Sequence, residues 1–305
     1  MNFSVSDMHG VIPALVTCFD KNEAFDSVRM RSVVRFLLEQ RVDGFYVAGS
    51  TGEAFTMTPE ERKQVTETVI DEAAGRVPVI IHVGAIGTRI SEDLARHAKA
   101  AGADAVSSVP PFYWHFSEDA IVDYYRDLAA AAELPLIVYN IALAGNMGFS
   151  TISRLAKVEG VAGIKFTSPA HHEILRIRQE IGENFKIFSG VDEMALSGLC
   201  YGANGIIGSF YNLIPDIYRE LFAAHAAGDM QTALACQKLA NRIISLSLEY
   251  DYIPLIKRMM SWMGVDAGYS RRPFKRYSED MLGVIRRRFS ELKSESPQVC
   301  FLKAL

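Results

Sequence analysis

Val161-Ala-Gly-Ile-Lys165-Phe-Thr167 places a single lysine inside an apolar, strand-like run. A strand of Val, Ala, Ile and Phe bordered by turn signals is buried on both faces, the pattern of a parallel sheet. Lysine avoids such settings, because taking an ammonium out of water costs several kcal/mol. Two readings are open. In one, the stem crosses the sheet and the head reaches solvent or a carboxylate. In the other, the amine sits in a dry pocket at the strand end, its pKa falls, and the neutral form attacks a carbonyl carbon to give a Schiff base. Thr167, two residues on, shares the face of Lys165.

Outward from this run, short β-rich segments recur at 11–17, 44–48, 77–83, 103–109, 134–141, 161–167, 185–189 and 205–210. Helical patterns separate them at 27–39, 91–101, 117–132, 151–158, 171–181 and 192–199. Thr58-Pro59-Glu60-Glu61 opens another, with a capping hydroxyl, Pro at the first position and early acids. Eight strands alternating with helices predict an α/β fold, a (β/α)8 TIM barrel. An open doubly wound sheet is the runner-up. It commonly announces a nucleotide with a Gly-rich first turn, and Thr17-Cys-Phe-Asp-Lys-Asn22 has no glycine. Four more helical patterns follow at 215–227, 230–248, 253–263 and 278–292. One closes the barrel and the rest form a C-terminal helical extension. The expected division is a catalytic barrel over 1–228 and an extension over 229–305, ending in a loosely held tail from Ser294.

A net charge of −4 gives no electrostatic case for nucleic acid or an anionic membrane. Arg271-Arg272-Pro-Phe-Lys275-Arg276 and Arg286-Arg287-Arg288 read as solvated faces or helix-end charges. Cys18, Cys200, Cys236 and Cys300 are scattered without CxxC spacing, as free thiols of a reducing compartment would be. The start lacks a basic, then apolar, leader pattern, and no apolar run is long enough to span a bilayer, so a cytoplasmic protein is expected. The histidines show no metal-ligand spacing. Neither a metal nor a cofactor is expected, and His82 reads as a packed side chain.

Chemistry in a barrel gathers at the C-terminal strand ends. The second strand ends in Ala48-Gly49-Ser50-Thr51-Gly52-Glu53, where two glycines permit close backbone approach and Ser50 and Thr51 offer hydroxyls and N–H groups to a carboxylate or phosphate. An ordinary Gly/Ser turn is the plain alternative. The fifth ends in Tyr139, either a wet-end anchor of the core or a proton relay. The seventh ends in Gly190-Val-Asp192-Glu193, acids that either grip a polyol or favour a helix N-terminus. The eighth ends in Gly208-Ser209. Together an amine, a phenol, an anion cradle and polyol acceptors would surround one mouth.

These stretches resemble the N-acetylneuraminate lyase and dihydrodipicolinate synthase family of class I aldolases, barrels that use a Schiff-base lysine. The matching residues are Gly49-Ser-Thr-Gly-Glu53, Val138-Tyr-Asn140, Gly163-Ile-Lys-Phe-Thr167, Gly190-Val-Asp-Glu193 and Gly208-Ser-Phe-Tyr-Asn212. Ser107-Ser-Val-Pro-Pro-Phe-Tyr113 and Arg272-Pro273-Phe274 favour the sialic acid lyase branch. The synthase branch carries an arginine shortly after Tyr-Asn, and Ile141-Ala-Leu-Ala-Gly145 has none. The segment from Tyr139 to Lys165 is slightly shorter than the family pattern, with Ala142 in place of its proline.

The resemblance implies reversible cleavage of N-acetylneuraminate to pyruvate and N-acetylmannosamine. Lys165, Tyr139 and Ser50 would be catalytic. Ser50, Thr51, Thr167, Gly190, Asp192, Glu193 and Ser209 would bind substrate, and Tyr113 would complete a neighbouring subunit's site in a homotetramer. Another pyruvate-dependent member (dihydrodipicolinate synthase or a 2-keto-3-deoxy sugar acid aldolase) is the nearest alternative. A metal-dependent aldolase and a non-catalytic keto-acid-binding barrel are the more distant ones.

Overall fold

The protein is described by a computed structural model covering residues 3–293 and 299–305. Eight strands alternate with eight helices: β1 (Gly10–Pro13), α1 (Ser27–Glu39), β2 (Phe45–Val47), α2 (Pro59–Ala73), β3 (Val79–His82), α3 (Thr88–Ala101), β4 (Ala105–Ser108), α4 (Glu118–Ala132), β5 (Leu136–Ile141), α5 (Phe149–Leu155), β6 (Val161–Thr167), α6 (His172–Ile181), β7 (Lys186–Ser189), α7 (Ala195–Cys200), β8 (Gly205–Gly208) and α8 (Pro215–Ala226). All pairings are parallel, in the order β1-β8-β7-β6-β5-β4-β3-β2. A bridge between Ala14 and Tyr46 joins the two ends, and the Leu15 N–H donates to Tyr46 O at 2.9 Å. The expected TIM barrel is therefore the observed one.

Strand alternation sorts side chains into two cores. Ile12, Tyr46, Ile80, Ala105, Ile137, Tyr139, Phe188 and Ile207 fill the barrel interior. Val11, Phe45, Val47, Leu136, Val138, Ile164 and Phe166 pack outward against the helices. In β6 this leaves Lys165 and Thr167 on the inner side, with Lys165 paired in register to Tyr139 and Thr167 to Ile141. The helix start at Thr58 is as expected: its N–H donates to Glu61 Oε2 at 2.9 Å and its hydroxyl accepts the Glu61 N–H at 3.3 Å. The first and last strands are shorter than the sequence suggests. Residues 14–17 leave the sheet after the Ala14 bridge, and Phe210–Asn212 forms a 3-10 turn.

Beyond α8 the chain forms α9 (Met230–Ser247), α10 (Tyr252–Trp262), α11 (Glu279–Lys293) and α12 (Cys300–Lys303); α9 packs on α8, and α12 packs against α10 and α11. Two expectations are corrected here. Arg271 is no solvated charge: it is 8% exposed and bonds Glu61, the Thr56 carbonyl at 2.8 Å and the Glu23 carbonyl at 2.9 Å. The tail is also not loose over 299–305, although its first part, 294–298, lies outside the described residues. Phe301 is fully buried between Trp262 and Phe289, with ring centroids at 6.4 and 5.5 Å, and Leu302 is buried beside it. Burying two large apolar side chains outweighs the entropy of ordering a short segment. Phe301→Ala should cost about 3–5 kcal/mol in urea unfolding while leaving kcat unaltered in the folded protein. A loss below about 1 kcal/mol would mean the segment is not anchored.

Candidate active site

The side chain of Lys165 is 4% exposed and lies between two aromatic faces. Its Nζ is 4.2 Å from the ring centroids of both Tyr46 and Tyr139. Burial pushes its pKa down to about 7, with the nearby Asp192 carboxylate working in the opposite direction. Among the described residues no salt bridge holds this amine, and its lowered pKa favours the neutral form. The reading in which the lysine head escapes to solvent is thereby ruled out.

Tyr139 is buried, and desolvation raises its phenol to about 12. The hydroxyls of Ser50 and Thr167 face the phenol and pull in the other direction, although Thr167 Oγ1 makes no hydrogen bond of ordinary geometry. An unpartnered hydroxyl buried in this position is suited to a ligand's polar group. Tyr46, which the sequence left inside an ordinary strand, forms the second wall. Its hydroxyl donates to Ser107 Oγ at 3.0 Å, and Ser107 passes the bond to the Ile137 carbonyl at 2.7 Å. His82 is packed as expected. Its Nδ1 lies 3.0 Å from the Ala48 carbonyl and its Nε2 accepts the Val109 N–H at 3.3 Å, while burial and Arg62 hold its pKa well below the usual range.

Residues 49–53 form a tight turn at the end of β2. The Glu53 N–H donates to Ser50 O at 3.0 Å and the Ala54 N–H to Gly49 O at 3.2 Å. A Cβ at Gly49 would come within 2.6 Å of the Tyr46 ring, which excludes any larger residue there. The Thr51 and Ser209 hydroxyls share a hydrogen bond of 2.6 Å, which joins the turn to the end of β8.

Asp192 is buried and its carboxyl is raised to about 7, chiefly by desolvation. Its Oδ2 accepts the Phe210 N–H at 2.8 Å across the barrel end, so it does not serve its own helix N-terminus. Tyr218 and Gln237 hold its carbonyl at 3.0 and 3.1 Å. Glu193 is half-buried beside it, and its carbonyl accepts from Asn241 of α9 at 3.0 Å. Gly190 leaves space that no side chain could occupy, since a Cβ would fall 2.0 Å from Thr167 Oγ1 and 3.3 Å from Lys165 Cε.

A cavity of about 270 Å³, lined by Ser50, Phe55, Phe112, Ile141, Tyr252 and Phe274 among others, meets this group of residues at Ser50, which faces the Tyr139 phenol. The extension thus reaches the mouth through Tyr252, which stacks on Phe210 and is pushed up to about 12 by burial. A wider open groove between α4 and α5, lined by Arg126, Leu134, Arg154 and Lys157, contains none of the residues described above. Tyr113 is not brought to the cavity: it is 82% exposed and its ring meets Trp114. Among the described residues no group of three or more His, Cys, Asp or Glu side chains could hold a metal ion, and no helix is long and apolar enough to cross a membrane.

Residues 7–291 match the dihydrodipicolinate synthetase family. The chain is 38% identical over 294 residues to N-acetylneuraminate lyase of Escherichia coli, spanning 95% of this chain and 99% of that one. A catalytic lysine mutant of the sialic acid aldolase of Ruminococcus gnavus superposes with a TM-score of 0.90 at 32% identity, over 94% of this chain and 96% of the other. CdNal from Clostridium difficile in complex with mannosamine gives a TM-score of 0.89 at 31% identity, over 92% and 98%. With a buried strand-end lysine, a phenol in register beside it and near full-length similarity to these proteins, the chain belongs to the dihydrodipicolinate synthetase family of class I aldolases.

Proposed function

We propose that this protein cleaves N-acetylneuraminate reversibly to pyruvate and N-acetylmannosamine through a Schiff base on Lys165. The observation that carries the reading is the Lys165 amine, held in a dry slot between Tyr46 and Tyr139 with its pKa near 7. The Lys165 nitrogen attacks the C2 ketone and the carbinolamine loses water. The iminium then takes up the electron pair of the C3–C4 bond as the C4 hydroxyl gives its proton to the Tyr139 oxygen, whose own proton passes by way of Ser50 to the substrate carboxylate. N-acetylmannosamine leaves. The remaining enamine is protonated at C3, and hydrolysis frees pyruvate and the amine.

Ser50 and Thr51 would hold the carboxylate through backbone N–H groups, while Thr167, Gly190, Asp192, Glu193 and Ser209 would hold the hydroxyls of the sugar chain. The sialic acid branch is favoured over the synthase by the wall after β5. Ala142–Ala144 is a 3-10 turn with no charged side chain for a second carboxylate, and Ile141, Leu143 and Ala144 line the cavity instead. The exposure of Tyr113 and Trp114 fits a homotetramer in which Tyr113 reaches a neighbouring subunit. The four free cysteines fit a cytoplasmic setting.

Pyruvate followed by borohydride tests the chemistry. One reduced pyruvate is expected on Lys165 by peptide mapping, at a rate that climbs as pH rises through about 7, because only the neutral amine attacks. An adduct on any other lysine, or none, would sink the proposal. Aspartate semialdehyde and N-acetylneuraminate assayed side by side separate the two branches.

A further inference from the structure

Glu53 and Lys257 form an ion pair in which both side chains are fully buried, 204 residues apart in sequence. Burial lowers the Lys257 pKa, and the Glu53 carboxylate opposes that shift. A buried pair of this kind is weak evidence of stabilisation, since desolving both ions consumes most of their attraction. Its geometry suggests a different purpose. Glu53 is the corner of the 49–53 turn and holds a left-handed backbone, with φ at 57°, a conformation that a residue with a Cβ adopts uncommonly.

The carboxylate at this corner is held by the C-terminal extension. The second carboxylate oxygen of Glu53 accepts the Arg271 N–H at 2.9 Å, and Lys257 Nζ also donates to the Tyr269 carbonyl at 2.8 Å. Arg271 in turn grips Glu61, Thr56 and Glu23, on the chain that follows the turn and on the loop before α1. Ser50 and Glu53 line the same cavity.

We propose that Glu53, held by Lys257 and the Arg271 N–H, is a positioning residue that fixes the 49–53 turn so that the Ser50 and Thr51 N–H groups meet the substrate carboxylate. The C-terminal extension is then a working part of the binding site. This rests on the carboxylate-binding part of the function proposed above.

Two variants test it. Glu53→Gln keeps an oxygen acceptor and removes the charge, whereas the double variant E53Q/K257M removes both charges at nearly constant volume and leaves no buried ion unpaired. Pyruvate half-saturation in borohydride trapping should rise about tenfold in both, while the pH midpoint of trapping, which belongs to Lys165, stays in place. A merely structural role would lower the melting temperature and the trapped fraction and leave half-saturation where it was. Half-saturation within about twofold of wild type in the folded double variant would overturn the proposal. Absence of any adduct in the wild type is a separate failure, that of the aldolase chemistry. Pyruvate titration calorimetry on the same proteins then makes the same comparison without turnover.

Discussion

Lys165→Met abolishes the trapped pyruvate and lowers kcat/KM for N-acetylneuraminate by at least ~10⁴, yet yields a more stable protein. The loss of activity follows from removing the proposed nucleophile. The gain follows from linkage. Folding moves the lysine from its ordinary 10.5 to about 7, because burial penalises the ammonium. Between those two values the unfolded chain keeps a proton that the folded chain has released, so wild-type stability rises with pH across that window. At pH 7 the penalty is about 4 kcal/mol, and a methionine, which suits the slot between two rings, does not suffer it. Asp192 trims the gain, since the lysine's positive charge currently offsets part of the burial that raises its carboxyl. Urea unfolding at pH 7, 9 and 10.5 should show the advantage of the variant shrinking towards zero. A variant less stable than wild type at pH 7 would contradict the desolvated amine on which the proposed chemistry rests.

The fold and the floor of the site were legible because both obey short-range rules. Strand alternation put Lys165 and Thr167 on one face, and the strand-end rule collected Ser50, Tyr139, Asp192 and Ser209 at one mouth. Tyr46 was not legible. In Gly44-Phe45-Tyr46-Val47 both aromatics look like core, and only the barrel register shows that Phe45 faces the helices while Tyr46 faces the lysine. Tyr252, Lys257 and Arg271 escaped for a different reason. Nothing local to a helix announces that it will reach back some 200 residues to cap a turn, and an arginine in a basic cluster carries the signature of a solvated face whether or not it is buried. The end of the chain reads as loose because Ser294-Glu-Ser-Pro297 is polar. The apolar spacing of Val299, Phe301 and Leu302 was the signal available, and it marks a segment that packs.

Two phenols flank the same amine at equal distance, and their hydroxyls predict opposite outcomes. Tyr139→Phe keeps the ring wall around Lys165 and removes the oxygen that faces Ser50 and Thr167. Schiff-base formation needs the amine and the slot, so pyruvate trapping should persist within about threefold of wild type. Bond cleavage needs a group to take the C4 proton, so kcat for N-acetylneuraminate should fall by ~10²–10⁴. Tyr46→Phe also keeps its ring, but its hydroxyl is committed to Ser107 and never faces the cavity. Removing it frees one side of a buried serine that still donates to the Ile137 carbonyl, at a cost of about 1 kcal/mol in stability and little in turnover. Steady-state kinetics and trapping on the two variants therefore separate the relay from the wall. If Tyr46→Phe lost kcat as heavily as Tyr139→Phe, the rings alone would matter and the phenol of Tyr139 would have no part in moving the proton.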